Sequence, residues 1–268
     1  MLGQRILTAM GLVAVLAVVL LLLPPAYAVV ALAVMILAGA WEWAVLAGLE
    51  SAAARIAFTG ACAVLMSALW WFAGSDLDRF VSVLIVTMLG WIPLFGWIVL
   101  APRHKHRGFA VIAGLWALAP TWMALARLYL QTEHGRELVV FVLVLAWAAD
   151  IGAYFAGRYF GRLRLAPWVS PNKTWEGVLG GLFAGLLVAF AGSAWFGLPR
   201  PAFLSLCIAA VLVSVVGDLV ESMFKRQRGV KDSGNLLPGH GGVLDRIDSL
   251  TSSVPLLALG FCWLGLVA

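Results

Sequence analysis

Runs of about 20 apolar residues recur along nearly the whole chain, and no other feature narrows its fold so far. A helix rising 1.5 Å per residue needs about 20 residues to cross a hydrocarbon core of roughly 30 Å. Inside lipid, an isolated segment can satisfy its backbone N–H and C=O groups only as a helix. Hydropathy marks about nine such spans, near 5–23, 26–49, 56–74, 80–100, 108–130, 137–157, 176–197, 202–222 and 250–268. Of 268 residues, 63% are hydrophobic and 12% charged, against about 25% charged in a soluble domain. Mean hydropathy is +1.00. The expected architecture is therefore an all-α, polytopic integral membrane helix bundle. Pro24-Pro25 separates the first two spans. The Ala26-Tyr27-Ala28 that follows resembles a signal-peptidase site, but the apolar run before it exceeds the usual ~7–15 residues, so the first span is read as retained.

Cys62, Cys207 and Cys262 each sit inside an apolar run, far apart in sequence. They read as small buried residues rather than as a disulfide or zinc site. A net charge of +5 raises nucleic acid as a partner, but thirteen tryptophans among apolar runs point to membrane interfaces instead. Counting basic residues on alternate sides sharpens this. The N-terminus and the loops between spans two/three, four/five, six/seven and eight/nine hold fourteen of the eighteen Lys and Arg; Arg79, Arg127, Arg136 and Arg200 lie opposite. The positive-inside rule makes the first side cytoplasmic, as in a bacterial-type inner membrane. Gly177, Gly181 and Gly185 form a double GxxxG, and Gly157 with Gly161 another pair. Such spacing lets backbones approach closely, either within one bundle or across a homodimer.

Acids in or beside spans cost about 2.5–3.5 kcal/mol at the bilayer centre. Glu42, Asp150, Glu176, Asp218 and Glu221 therefore need a partner, a cation or a wet cavity. In GDLVESMFKR, Asp218, Glu221, Ser222 and Lys225 fall at i, i+3, i+4 and i+7, on one helical face. LDRIDS repeats the i, i+3 pairing with Asp245 and Asp248, and Asp150 with Tyr154 gives a polar i, i+4 face. Taken alone, the first group reads as a self-neutralising stripe. Several carboxylates meeting at one membrane face are what a hard divalent cation such as Mg²⁺ needs to bridge substrate phosphates. Lys225, Arg226, Arg228 and Lys231 lie among these acids, followed by Gly234 and Pro238-Gly239-His240-Gly241-Gly242. Glycine backbone can close on an anion while Lys and Arg supply charge, which makes a phosphate cradle. SPNKTWEG, from Ser170 to Gly177, reads equally as a helix start capped at Thr174 or as an anion site at a helix N-terminus beside Lys173.

The stretch GDLVESMFKRQRGVKDSGNLLPGHGGVLDRIDS resembles the long C-terminal signature of the phosphatidate cytidylyltransferases, the CDP-diacylglycerol synthases. The resemblance rests on Ser222, Lys225, Arg226, Lys231, Asp232, Gly234, Pro238, His240, Gly241, Gly242, Asp245, Arg246 and Asp248. DIGAYFAGRYFGR, SPNKTWEG and the opening MLGQRILTA are similar to further blocks of that family. Asn172 departs from the lysine common there. The resemblance implies cytidylyl transfer from CTP to phosphatidic acid, releasing pyrophosphate and requiring Mg²⁺, alone or with a second cation. It implies Asp218, Asp245 and Asp248 as metal ligands, with Asp150 and Glu221 behind them. Lys225, Arg226, Lys231 and Arg246 would serve the phosphates at the catalytic centre, and Ser170, Lys173, Thr174, Ser222, His240, Gly241 and Gly242 would bind substrate. Residues 1–135 then form a lipid-facing half and 136–268 a catalytic region whose signature spans 217–249.

Two rivals fit less well. An ion-coupled transporter would show paired broken spans in two similar halves, whereas the polar residues here crowd into the C-terminal half. A P-loop kinase would need GxxxxGK[ST]. A relative acting on another lipid phosphate, such as an isoprenoid one, stays open. The Arg103-His104-Lys105-His106-Arg107 run reads as an anchor for anionic headgroups, and the tryptophans of the first half as span ends or helix contacts.

Overall fold

The fold is known from a computed structural model, which describes residues 2–237, 239 and 241–267. Among the described residues the chain forms nine long helices: α1 (Leu2–Leu21), α2 (Pro25–Leu46), α3 (Ala52–Ala73), α4 (Leu77–Leu100), α5 (Arg107–Leu130), α6 (Gly135–Phe160), α7 (Trp175–Trp195), α8 (Arg200–Arg228) and α9 (Leu244–Trp263). Between α6 and α7 lies a short antiparallel hairpin of β1 (Arg164–Ala166) and β2 (Ser170–Thr174), which pairs Arg164 with Thr174 and Ala166 with Ser170. The expected all-α bundle is what forms, with this hairpin as an addition that hydropathy does not register.

Helix starts follow local chemistry. Pro25 occupies the first turn of α2, where its missing N–H costs nothing. Side chains of Ser51, Asp76, His106 and Thr174 accept from the N–H groups of Ala54, Arg79, Phe109 and Gly177. Thr174 thus caps α7 as its place in SPNKTWEG suggests.

Among the described residues seven helices, α2 to α8, are long and apolar enough to cross a membrane. Two boundaries differ most from the hydropathy reading. Helix α8 runs on to Arg228, past the expected 222, and α9 begins at Leu244 rather than at 250. Hydropathy stops at charge, but a helix continues where its charged side chains find partners, as Glu221 and Lys225 do at 3.3 Å. Gly229, at φ 73°, supplies the left-handed cap that ends α8.

The core gathers around α5, whose Ala117, Leu118, Met123 and Ala124 are fully enclosed, between α2, α3 and α9. Proline inside α9 frees a carbonyl that the fold reclaims. Pro255 cannot donate to Thr251 O, and Thr121 Oγ1 of α5 lies 2.9 Å from that oxygen. Buried Arg127 of α5 donates to Ala73 O and Gly74 O at 3.2 and 2.9 Å, where α3 runs out of N–H groups.

Helix α6 packs most extensively on α7, and Gly177 and Gly181 of the stripe face that contact while Gly185 lies against Val211 of α8. A Cβ on Gly152 would stand 2.5 Å from Gly180 O, and one on Gly180 would stand 2.2 Å from the Ala156 Cβ. Gly177 and Gly181 likewise lie against the Ala153 and Ala149 carbonyls. The GxxxG spacing serves packing within the bundle.

Candidate active site

Helices α6 and α8 end, and α7 and α9 begin, on the same side of the bundle. Between them opens a cavity of about 640 Å³. Its walls are apolar on the bundle side, with Ala149, Ala153, Val178, Val211 and Val215. Its polar lining is Asp150, Tyr154 and Arg158 from α6, Asn172, Lys173 and Thr174 from β2, Ser214 and Asp218 from α8, and Asp245, Arg246 and Asp248 from α9. Seven of the expected site residues therefore meet in one space, although they are spread over almost a hundred positions of sequence.

Several of the charges are already paired. Lys173 Nζ lies 2.5 Å from Asp218 Oδ2, with both side chains about a quarter exposed. The Ser222 hydroxyl donates to Asp218 Oδ1 at 3.1 Å. Beneath the cavity, Lys225 Nζ donates to Asp245 Oδ1 at 2.7 Å and lies 3.3 Å from Glu221 Oε1. Asp245 Oδ2 accepts from the Ser233 and Gly242 amides at 3.0 and 2.8 Å. Both oxygens of Asp245 are thus engaged by the protein. Glu221 is 1% exposed, with Lys225 as its cationic partner. It lies against Asp248, which in turn faces Asp150 and Asp218.

Other expected site residues stand outside the lining. Arg226 reaches the hairpin turn at Val169 O (3.3 Å) and the Val230 carbonyl (3.4 Å). Ser170 pairs with Ala166 at the start of β2. Lys231 is exposed on the loop between α8 and α9. Gly241, at φ 82°, turns that loop, and Leu237 N donates to its carbonyl at 3.0 Å. His240 lies outside the described residues.

Arg158 and Asn172 belong to the cavity without having been read as site residues. The signal was present for Arg158. Asp150, Tyr154 and Arg158 are spaced i, i+4, i+8 along one side of α6, and the Arg158 guanidinium donates to the Tyr154 hydroxyl at 2.8 Å.

The donor set is all oxygen, which suits a hard cation such as Mg²⁺. Glu221, buried beside Asp248 with Lys225 as its cationic neighbour, adds a further carboxylate to that set. Among the described residues no three acidic, histidine or cysteine side chains are drawn together closely enough to enclose a metal ion. Lys173 pairs with Asp218 instead, and Lys225 bridges Glu221 and Asp245.

Fold and cavity together define a multi-pass helical membrane protein with a mixed-charge site at one end of its bundle. The model of the cytidylyltransferase family matches residues 3–263, and the chain belongs to that family. It is 44% identical over 270 residues to the phosphatidate cytidylyltransferase of Pseudomonas aeruginosa, covering 96% of each chain. To that of Haemophilus influenzae it is 39% identical over 279 residues, covering 95% of this chain and 96% of the relative. The Brucella suis enzyme is 46% identical over 151 residues, 55% of each chain.

Proposed function

We propose that this protein transfers a cytidylyl group from CTP to phosphatidic acid, forming CDP-diacylglycerol and pyrophosphate. The observation that carries the reading is the cavity, where Asp150, Asp218, Asp248, Lys173 and Arg246 face an apolar wall built by α6, α7 and α8. A lipid phosphate needs both surfaces at once, and so does a reaction that must bring two anions together.

The phosphatidate phosphate is already ionised near pH 7, so no protein base has to activate it. One of its oxygens bonds to the α-phosphorus of CTP while the bond from that phosphorus to the pyrophosphate oxygen breaks. Lys173, Arg158 and Arg246 hold the phosphates against their mutual repulsion. Asp150, Asp218 and Asp248 would hold Mg²⁺, with Glu221 behind them; when bound, the ion offsets charge on the triphosphate and leaving group. Asp245 and Glu221 fix Lys225, and Ser222 orients Asp218. Arg226 fixes the hairpin that carries Lys173. Lys231 and the Gly241–Gly242 turn close the loop over the phosphates, with Ser170 and Thr174 framing the hairpin side.

In this reading all nine helices span an inner membrane, and the N-terminus and the cavity face the cytoplasm, where CTP is. Residues 1–135 form the lipid-facing half and 136–268 the catalytic region. The cavity's lining all comes from one chain, and a homodimer would pair through another face.

The test is pyrophosphate release by detergent-purified protein given CTP, Mg²⁺ and phosphatidic acid, with parallel reactions lacking each. Release is expected only with all three, and Asp218→Ala is expected to lower it at least ~100-fold while leaving the thermal unfolding midpoint in place. Turnover only with an isoprenoid lipid phosphate would reassign the substrate, and inactivity with every lipid phosphate would overturn the reading.

A further inference from the structure

Glu42 is an acid the cavity does not use. It sits near the C-terminal end of α2, in the half assigned to lipid, and is 2% exposed. An acid so enclosed among apolar helices needs hydrogen-bond donors, and it finds them about two hundred residues away. Glu42 Oε2 accepts from the Ser233 hydroxyl at 3.0 Å and from the Leu244 amide at 2.8 Å. These two residues lie near the two ends of the loop joining α8 to α9. Val243, the N-cap of α9, makes no side-chain cap bond, so the carboxylate from α2 does the work of a cap on that helix.

From its other side the same loop is held by Asp245, whose Oδ2 accepts from Ser233 N and Gly242 N. Two carboxylates, one from each half of the sequence, thus clasp the same two loop ends. The glycines record how closely Glu42 approaches. A Cβ on Gly234 would lie 2.3 Å from Glu42 Oε1, and one on Gly242 would lie 2.1 Å from Ser233 Oγ and 2.3 Å from Glu42 Oε2. Only backbone without a side chain fits between the acid and the loop.

We propose that Glu42 is a positioning residue for the reaction. By tying Ser233 and Leu244 together it sets the first turn of α9, and with it the orientation of Asp245 and Arg246 toward the cavity and of Lys225 beneath them. Among the described residues its hydrogen bonds go to Ser233 and Leu244, outside the cavity's lining, and it acts through Asp245. The proposal rests on the cytidylyl-transfer reading for its kinetic consequence, and on contacts alone for its structural one.

The experiment compares wild type, Glu42→Ala and Glu42→Gln, purified in detergent, by steady-state kinetics with CTP and by amide hydrogen exchange of residues 229–246. The Gln amide oxygen can still accept from Ser233 and Leu244. Glu42→Ala is therefore expected to lower kcat by about 10-fold or more with CTP KM changed by less than about 3-fold, and Glu42→Gln to recover most of the loss. Exchange of the loop amides rises in Glu42→Ala while that of α5 and α8 stays as in wild type. Unchanged kcat in Glu42→Ala, or exchange that rises equally through α2, α5 and α9, would overturn the proposal, the second outcome leaving Glu42 a purely structural acid. If Glu42→Ala does not fold, Ser233→Ala removes one donor from the loop side and takes the same two readouts. Inactive wild type would sink the proposed activity, and the exchange comparison would still decide whether Glu42 holds the loop.

Discussion

Lys173 and Lys225 are both paired with aspartates of the signature region, but they stand in different surroundings. Lys225 is 11% exposed at its side chain and serves two acids, Asp245 and Glu221, that are themselves 8% and 1% exposed. Removing it leaves two buried carboxylates uncompensated, a situation that costs about 3–5 kcal/mol. Lys225→Met is therefore expected to lose both activity and thermal stability in detergent. Lys173 and Asp218 face the cavity, each about a quarter exposed, where water can solvate whichever partner remains. Lys173→Met is expected to lose turnover while its unfolding midpoint stays within a degree or two of wild type. Thermal scans of the two variants beside the pyrophosphate assay check this, and equal destabilisation would show that Lys173 serves the fold as much as the site.

At the scale of elements, the contact of α6 with α7 builds the cavity wall. Gly152, Gly177, Gly180 and Gly181 let the two backbones meet, which brings Asp150 and Tyr154 of α6 opposite Lys173 and Thr174 at the entry to α7. Without these glycines the same residues would stand farther apart. Gly180→Leu, which adds a side chain where even a Cβ would meet Ala156 at 2.2 Å, is expected to force the helices apart. Overpacking of this kind costs about 1–3 kcal/mol. A lowered unfolding midpoint together with weakened activity is the expected result, and full activity in this variant would show that the cavity tolerates a wider α6–α7 spacing. The hairpin shares in this arrangement. Arg164 donates to Pro171 O at 2.8 Å, and Glu176 accepts from Leu163 N at 3.2 Å. Together they hold the segment that presents Lys173.

Across the whole molecule the two halves of the sequence interlock at the cavity end. Arg228 pairs with Glu50, Gln227 donates to the Pro102 and His104 carbonyls at 3.0 and 3.1 Å, and the Arg103 guanidinium lies 3.7 Å from the centre of the Trp168 ring. The basic 103–107 run therefore sits on the same side as the site, in keeping with its place among the fourteen basic residues counted as cytoplasmic. Orientation is testable with single reporter thiols, since Cys62 and Cys207 are buried and Cys262 is partly so. In spheroplasts an impermeant maleimide is expected to label Glu133→Cys at once and Lys105→Cys only after the membrane is opened. The reverse order would invert the topology and remove the cavity from the compartment that holds CTP.

Apolar runs determined the helical class, because in lipid the backbone has no other means of satisfying its polar groups. The spacing of Asp218, Glu221, Ser222 and Lys225 likewise fixed which side chains share a face of α8, since helical geometry is local. What local spacing could not carry was the pairing between distant segments. Lys173 meeting Asp218, Arg158 joining the cavity, Asp245 being occupied by the loop, and Glu42 reaching Ser233 and Leu244 all depend on which helix packs beside which. Packing was decided by glycine contacts and by the need of each buried charge to find a partner. Glu42 shows the division most plainly: the sequence marked it as an acid needing a partner in the membrane, and only the tertiary structure supplied one, across about two hundred residues of chain.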